Sequence, residues 1–232
     1  MLYEIKGVTK TYGDGNAAVR ALRNVNLDIP KGKIVAILGA SGSGKSTLLN
    51  ILGCMDNPTE GSVLFLGEDI TRYDRRRRTD FRKRNIGFVF QSYNLLPDLT
   101  ALENVEFSTE LVGIDNAEAR RAMEAVGLAD RLNSFPRQLS GGEQQRVSIA
   151  RAIAKKPGVL LCDEPTGALD LKTGIKVLEV LAGINKNSGT SVLLITHNGD
   201  IAKIADLVVT LRSGEIADVS ENTPMKVSEV EW

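Results

Sequence analysis

The chain has 232 residues, with 29 basic side chains balancing 29 acidic ones and a single histidine. That length holds one large domain or two small ones, and the balance argues against a general nucleic-acid binder, which carries a basic excess. The longest apolar runs, 34–38 and 159–162, are far too short to cross a bilayer, and the first residues lack the pattern of a secretory signal.

In chain order, short β-branched runs alternate with helical patterns, which predicts an α/β fold with a mainly parallel sheet. Residues 4–8 and 25–29 are strand-like and suit an antiparallel β layer beside that sheet. Residues 34–38 predict a fully buried strand that ends in a glycine loop, and from Thr47 a helix follows. Residues 72–84 form the one strong charge cluster. From about Ser92 to Lys156 the strand signal vanishes and helical patterns cover 101–112, 117–126 and 142–154. Two more buried strands are expected over 158–163 and 191–196. Past Gly214 the chain turns polar and acidic, and a loosely held tail is expected over Ser220–Trp232. Cys54 and Cys162 make neither a disulfide framework nor a metal site, so both are expected to be reduced and structural.

Three segments carry chemistry. The first is Gly39-Ala40-Ser41-Gly42-Ser43-Gly44-Lys45-Ser46-Thr47, which fits Gly-x4-Gly-Lys-Ser between a strand and a helix. Its glycines let backbone N–H groups converge on the β- and γ-phosphates at a helix N-terminus. Lys45 adds a point charge, Ser46 a hydroxyl for Mg²⁺, and Thr47 a bond to an α-phosphate oxygen. This is a nucleoside triphosphate site. The second is Asp163-Glu164 at the end of a buried strand, where a parallel sheet presents ligand-facing groups. Asp163 is expected to hold Mg²⁺, and Glu164 to polarise the attacking water as general base. An Asp-Glu pair alone fits a solvated turn better. In the third, Ser140, Gly141 and Gly142 open an amphipathic helix, so their N–H groups and the Ser140 hydroxyl form a second anion site. Serine at that place is also a common helix cap.

Together the phosphate loop and Leu139-Ser140-Gly141-Gly142-Glu143-Gln144-Gln145-Arg146 resemble the ATP-binding cassette (ABC) ATPases, the engines of ABC transporters, from residue 12 to about 212. The resemblance implies one ABC nucleotide-binding domain over 1–232. Its ATP-binding core is a phosphate-loop NTPase fold with an N-terminal antiparallel β subdomain (1–90 and 158–217). A helical subdomain spans 92–157, and 218–232 form a polar tail. It implies that Asp163-Glu164 and the following Pro165-Thr166-Gly167-Ala168-Leu169-Asp170 are the Walker B and D-loop, which adds Asp170 to the nucleotide site. Gln91 matches the Q-loop glutamine that reaches Mg²⁺ and the water, and His197 the switch histidine near the γ-phosphate. Tyr12 matches the aromatic residue that stacks on adenine. The signature serine and glycines are implied to face ATP held by a second copy of the chain, so that two chains pair head to tail around two ATP molecules. The family usually places aspartate after its switch histidine, whereas this chain has Asn198, next to the chemistry.

Stretches 49–56, 86–97 and 163–170 look most like the macrolide- and lipoprotein-exporter group (the MacB and LolD type). That group implies a partner permease with an extracytoplasmic domain. It also implies ATP and Mg²⁺ as cofactors and a cytoplasmic subunit peripheral on the inner face of the cell membrane, with no nucleic acid. The alternatives are a soluble non-transport ABC ATPase and a regulatory module that binds ATP without hydrolysing it. The 72–84 cluster is either a solvated helix face or a contact for anionic headgroups or an acidic membrane-domain surface.

Overall fold

The computed structural model describes residues 1–230. Two sheets make the frame. The larger has six strands in the order β10-β9-β3-β8-β7-β6: β3 (Ile34–Leu38), β6 (Ile86–Val89), β7 (Val159–Asp163), β8 (Ser191–Thr196), β9 (Leu207–Arg212) and β10 (Glu215–Glu221). All its pairings are parallel except that of edge strand β10 on β9. The smaller sheet is antiparallel throughout, β2-β1-β4-β5, from β1 (Tyr3–Tyr12), β2 (Val19–Ile29), β4 (Glu60–Phe65) and β5 (Glu68–Asp69).

The parallel strands are apolar along their whole length because both faces are covered, as parallel sheets require. Alternate residues feed two cores. Val35, Ile37, Val159, Leu161, Leu193 and Ile195 face the smaller sheet and α1 (Lys45–Leu52). Ala36, Leu160, Cys162, Val192 and Leu194 face the helical side of the molecule. That side holds α3 (Ala101–Val112), α4 (Ala117–Ala125), α5 (Gly141–Ile153), α6 (Leu171–Ser188) and the short α7 (Gly199–Ala202). Fully burying one such aliphatic side chain contributes about 1.5–3 kcal/mol. The remaining helix, α2 (Arg75–Asn85), buries only Phe81. That ring meets Phe65 and Tyr73 edge-on, and Phe65 in turn meets Tyr3.

Helix ends follow the sequence closely. Thr100 caps α3 reciprocally with Glu103, and Gly113 ends it in the left-handed conformation. Both cysteines are free and buried; burial pushes the Cys54 thiol up to about 11 and the Cys162 thiol up as well.

The expected loose tail is corrected over its described part. Residues 215–221 form β10, and Asn222 donates its side-chain amide to the carbonyls of Lys203 and Ala205, both at 3.0 Å. The Met225 N–H reaches the Lys203 carbonyl, and Val230 is buried in the helical-side core. A polar strand can be held by ladder hydrogen bonds with little apolar burial, so no hydrophobic pattern announces it. Glu231 and Trp232 lie outside the described residues.

Candidate functional site

Strand register builds the site. Leu38 pairs with Thr196, Asp163 with Ile195 and Val89 with Cys162, so β3, β8, β7 and β6 end at one level. The residues just beyond those ends come from four distant parts of the chain: the loop from Gly39, His197, Glu164 and Gln91. Carboxyl ends of parallel strands are where such sheets bind ligands.

The phosphate loop wraps the N-terminus of α1. Gly44 has φ 104°, and a Cβ there would lie 2.4 Å from the Ala21 carbonyl oxygen, so the turn needs glycine. Lys45 is almost fully buried and its Nζ donates to the Gly39 and Ala40 carbonyls, each at 2.8 Å. The buried Ser43 hydroxyl has no hydrogen-bond partner among the described residues. An orphaned hydroxyl and a loop-bound ammonium in a glycine cradle fit a phosphate chain.

Asp163 is the last residue of β7 and has the parity of Val159 and Leu161, which turns its carboxylate towards α1. Ser46 Oγ donates to Asp163 Oδ1 at 3.2 Å. Desolvation raises the pKa of Asp163, the Glu164 charge adds to this, and Ser46 and Lys45 oppose it. A carboxylate and a hydroxyl side by side suit Mg²⁺, which uses few protein oxygens and completes its shell with water and phosphate.

Glu164 leaves the strand with φ 46°, a left-handed conformation that costs a non-glycine residue about 1 kcal/mol or more. Its Oε1 lies 3.2 Å from His197 Nδ1, a spacing that lets an Nδ1–H donate to the carboxylate. Gln91 joins them at Gly167, where a Cβ would lie 3.0 Å from Gln91 Nε2 and 3.2 Å from Glu164 Oε2. Glu164, Gly167, His197 and Asn198 also line a small cavity of about 160 Å³. Asn198 caps α7, accepting from the Asp200 N–H at 2.8 Å. An aspartate could accept the same bond, so the cap alone does not explain the asparagine. Another cavity, of about 970 Å³, lies between α4, α5 and α6 and includes none of these groups. We place the site by convergent chemistry, because a phosphate loop binds on an open rim.

Tyr12 stands at the end of β1, partly exposed, with its hydroxyl donating to Asp56 Oδ2 at 2.8 Å and the Lys10 ammonium 4.8 Å from its ring centre. Burial and then the Asp56 carboxylate raise its pKa, while the Thr47 hydroxyl acts the other way.

The signature segment differs from the expected open anion site. Ser140 caps α5, but its N–H and its hydroxyl both donate to Glu143 Oε2, at 2.9 and 2.8 Å. Arg131 holds the other Glu143 oxygen at 3.1 Å. The Ser140 backbone bond and then its hydroxyl bring the Glu143 pKa down to about 2. Sequence reasoning missed this carboxylate, although serine followed three residues later by glutamate is a capping-box pattern. Gly142 lets α6 approach, since a Cβ there would lie 2.0 Å from Thr173 Cγ2. Asp170 caps α6, accepting from the Thr173 N–H, and buried Gln145 donates to the Pro165 carbonyl at 2.8 Å. The start of α5 is thus joined to the segment after Glu164. No described hydrogen bond connects Ser140, Gly141, Gly142 or Asp170 to the phosphate loop. Arg151 was also missed; it ties the segment after Gln91 to α5 through the Tyr93 and Asn94 carbonyls.

Residues 22–167 match the family model described as ABC transporter. The chain is 45% identical to the lipoprotein-releasing system ATP-binding protein LolD of Geobacter metallireducens, over 93% of this chain and 97% of that protein. It is 47% identical to part of the macrolide export ATP-binding/permease protein MacB of Brucella melitensis, over 93% of this chain but 34% of that protein. Among solved structures it resembles a dimeric post-hydrolysis state of the ATP-binding cassette MJ0796 bound to ADP and Pi, with TM-score 0.88 and 42% identity. That likeness covers 96% of this chain and 100% of the other, and MJ0796 is a protein of Methanocaldococcus jannaschii.

Proposed function

This chain belongs to the ABC transporter family as an ATP-hydrolysing cassette, and from that premise we propose that it energises export, or force transmission across a membrane, through a separate permease. The observation that carries the reading is the meeting of Lys45, Ser46, Asp163, Glu164, Gln91 and His197 at one end of the parallel sheet.

On this reading Lys45 exchanges its loop carbonyls for the β- and γ-phosphates, and Ser41, Gly42, Ser43 and Thr47 complete the cradle. Ser46, Asp163 and Gln91 hold Mg²⁺. The bound ion would neutralise phosphate charge. Glu164 takes the proton of the attacking water, His197 orients Glu164 and meets the γ-phosphate, and Tyr12 stacks on adenine. Ser140, Gly141, Gly142 and Asp170 act across a head-to-tail dimer on the ATP of the other copy. The dimeric state of MJ0796 supports that pairing. Residues 92–157 work as a helical subdomain between the ATP core (1–90 and 158–217) and the permease.

The exporter type rests on LolD and MacB, although the chain spans only about a third of the MacB protein. The expected partner is an integral membrane protein with an extracytoplasmic domain, with this subunit on its cytoplasmic side. No helix among the described residues is long and apolar enough to cross a membrane. Affinity isolation of the tagged chain from native membranes tests the reading. A co-purifying permease of that type is the expected result. Recovery with a soluble assembly, or Mg²⁺-dependent phosphate release from GTP alone, contradicts it.

A further inference from the structure

Helix α2 carries a charge pattern that its own stability does not call for. Arg75, Arg76, Arg77 and Arg78 fill its first turn, where the helix dipole is positive and disfavours cations, and no acidic residue offsets them there. The helix is held instead by the Asp74 cap, whose carboxylate accepts from the Arg77 N–H, and by Phe81 in its aromatic cluster. Residues 72–84 contain eight basic and two acidic side chains, so the rest of the chain has 21 basic against 27 acidic. The molecule is therefore polarised, with one basic helix on an acidic body.

Some of these cations have partners. Arg77 pairs with Glu68 and lies over the Tyr73 ring, and Arg72 pairs with Asp69. Arg82 donates to the carbonyl of Cys54, just past the end of α1, which fixes α2 to the phosphate-loop helix. Arg75, Arg76, Lys83 and Arg84 have no side-chain partner among the described residues. Asp80 is the one acid on their side of the helix. Two exposed apolar side chains stand beside this surface: Met55, next to the carbonyl that Arg82 holds, and Leu66, two residues from the carboxylate that Arg77 holds.

We propose that α2, with Met55 and Leu66, docks on an anionic lipid surface, its free arginines pairing with headgroup phosphates. A convex helix face rich in guanidinium groups suits a dense plane of phosphates, and apolar side chains at its edge suit the interfacial zone. The acidic remainder is repelled by the same surface, so docking also orients the subunit. The placement rests on the proposed role beside a membrane permease; the lipid contact goes beyond it.

The test is flotation with protein-free vesicles, either phosphatidylcholine alone or with about a third phosphatidylglycerol. The native chain is expected to float with the anionic vesicles at low salt, to be released at about 0.5 M salt, and to ignore the neutral ones. Each basic residue at such a surface is worth about fivefold in partition. The Arg75→Gln, Arg76→Gln, Lys83→Gln, Arg84→Gln variant should therefore bind about six-hundredfold more weakly. A variant with Arg75→Lys, Arg76→Lys and Arg84→Lys keeps the charge and should keep most of the binding. The glutamine variant should melt close to the native chain, because two cations leave the unfavourable first turn of the helix and two leave the favourable last turn. Equal binding by native and glutamine variants, or native binding to neutral vesicles as strong as to anionic ones, overturns the proposal. Charge-dependent binding seen only with vesicles that contain membrane proteins overturns it too, in favour of an acidic protein surface. ATP hydrolysis in solution, measured separately, is expected to be equal in both; its absence from both counts against the proposed function and leaves the vesicle result to judge the helix.

Discussion

Glu164→Gln separates chemistry from architecture. The substitution keeps the length and shape of the side chain and the same left-handed backbone, and removes the charge that would take a proton from water. Its one described side-chain partner is His197, which is 64% exposed. An exposed pair contributes at most about 1 kcal/mol, so the melting temperature should move by no more than about 4 °C for a domain of this size. Loss of a general base costs about 10²- to 10⁴-fold in rate, which is about 2.7–5.5 kcal/mol in barrier. The variant should therefore be folded, bind ATP and turn over at about 1% of the native rate or less. Phosphate release under saturating Mg-ATP reads the rate, and sizing with ATP and then ADP reads the trapped dimer. Near-native hydrolysis by a folded variant would falsify the assignment of the base. A mass unchanged between the two nucleotides would instead remove ATP-driven association.

A mixture of Lys45→Ala and Ser140→Arg chains should regain activity that neither parent has, because the mixed dimer contains one intact shared site; demonstrated mixed dimers without activity would refute sharing. Gly142→Ala drives a Cβ into Thr173 Cγ2 and should cost about 1–3 kcal/mol by overpacking. Thr173→Ser removes that methyl and should restore most of it, as read by denaturant melts of the double variant. Deleting residues 222–232 removes the Asn222 bonds and buried Val230 and should cost about 2 kcal/mol, or about 4–8 °C in melting temperature; a loose tail would leave it unchanged. Glu143 has a folded pKa of about 2 against an ordinary 4.5, so its stabilisation is present above 4.5 and is lost as the pH falls towards 2. Screening at this partly exposed group holds the effect to about 1 kcal/mol. Glu143→Gln should flatten that acid limb of stability, and an unchanged limb would place the effect elsewhere.

Much of the site was legible because its parts are local. A buried strand, a glycine turn and a helix start fix Gly39 to Thr47 within nine residues, and α3 spans the expected 101–112 because its cap, apolar spacing and terminal glycine agree. The ends of β7 and β8 follow from their apolar runs in the same way. By contrast, β1 and β2 extend well beyond their apolar cores, and β10 carries almost no apolar signal, because sheet pairing satisfies backbone groups whatever the side chains are. Only the folded chain brings Gln91 beside Glu164 across Gly167, through the common level at which β6 and β7 end. Only the fold fills the Ser140 donors with the chain's own Glu143 and roots the basic helix through Phe81. A motif fixes the backbone around itself; which distant groups then meet it depends on strand order and register, which no short segment specifies.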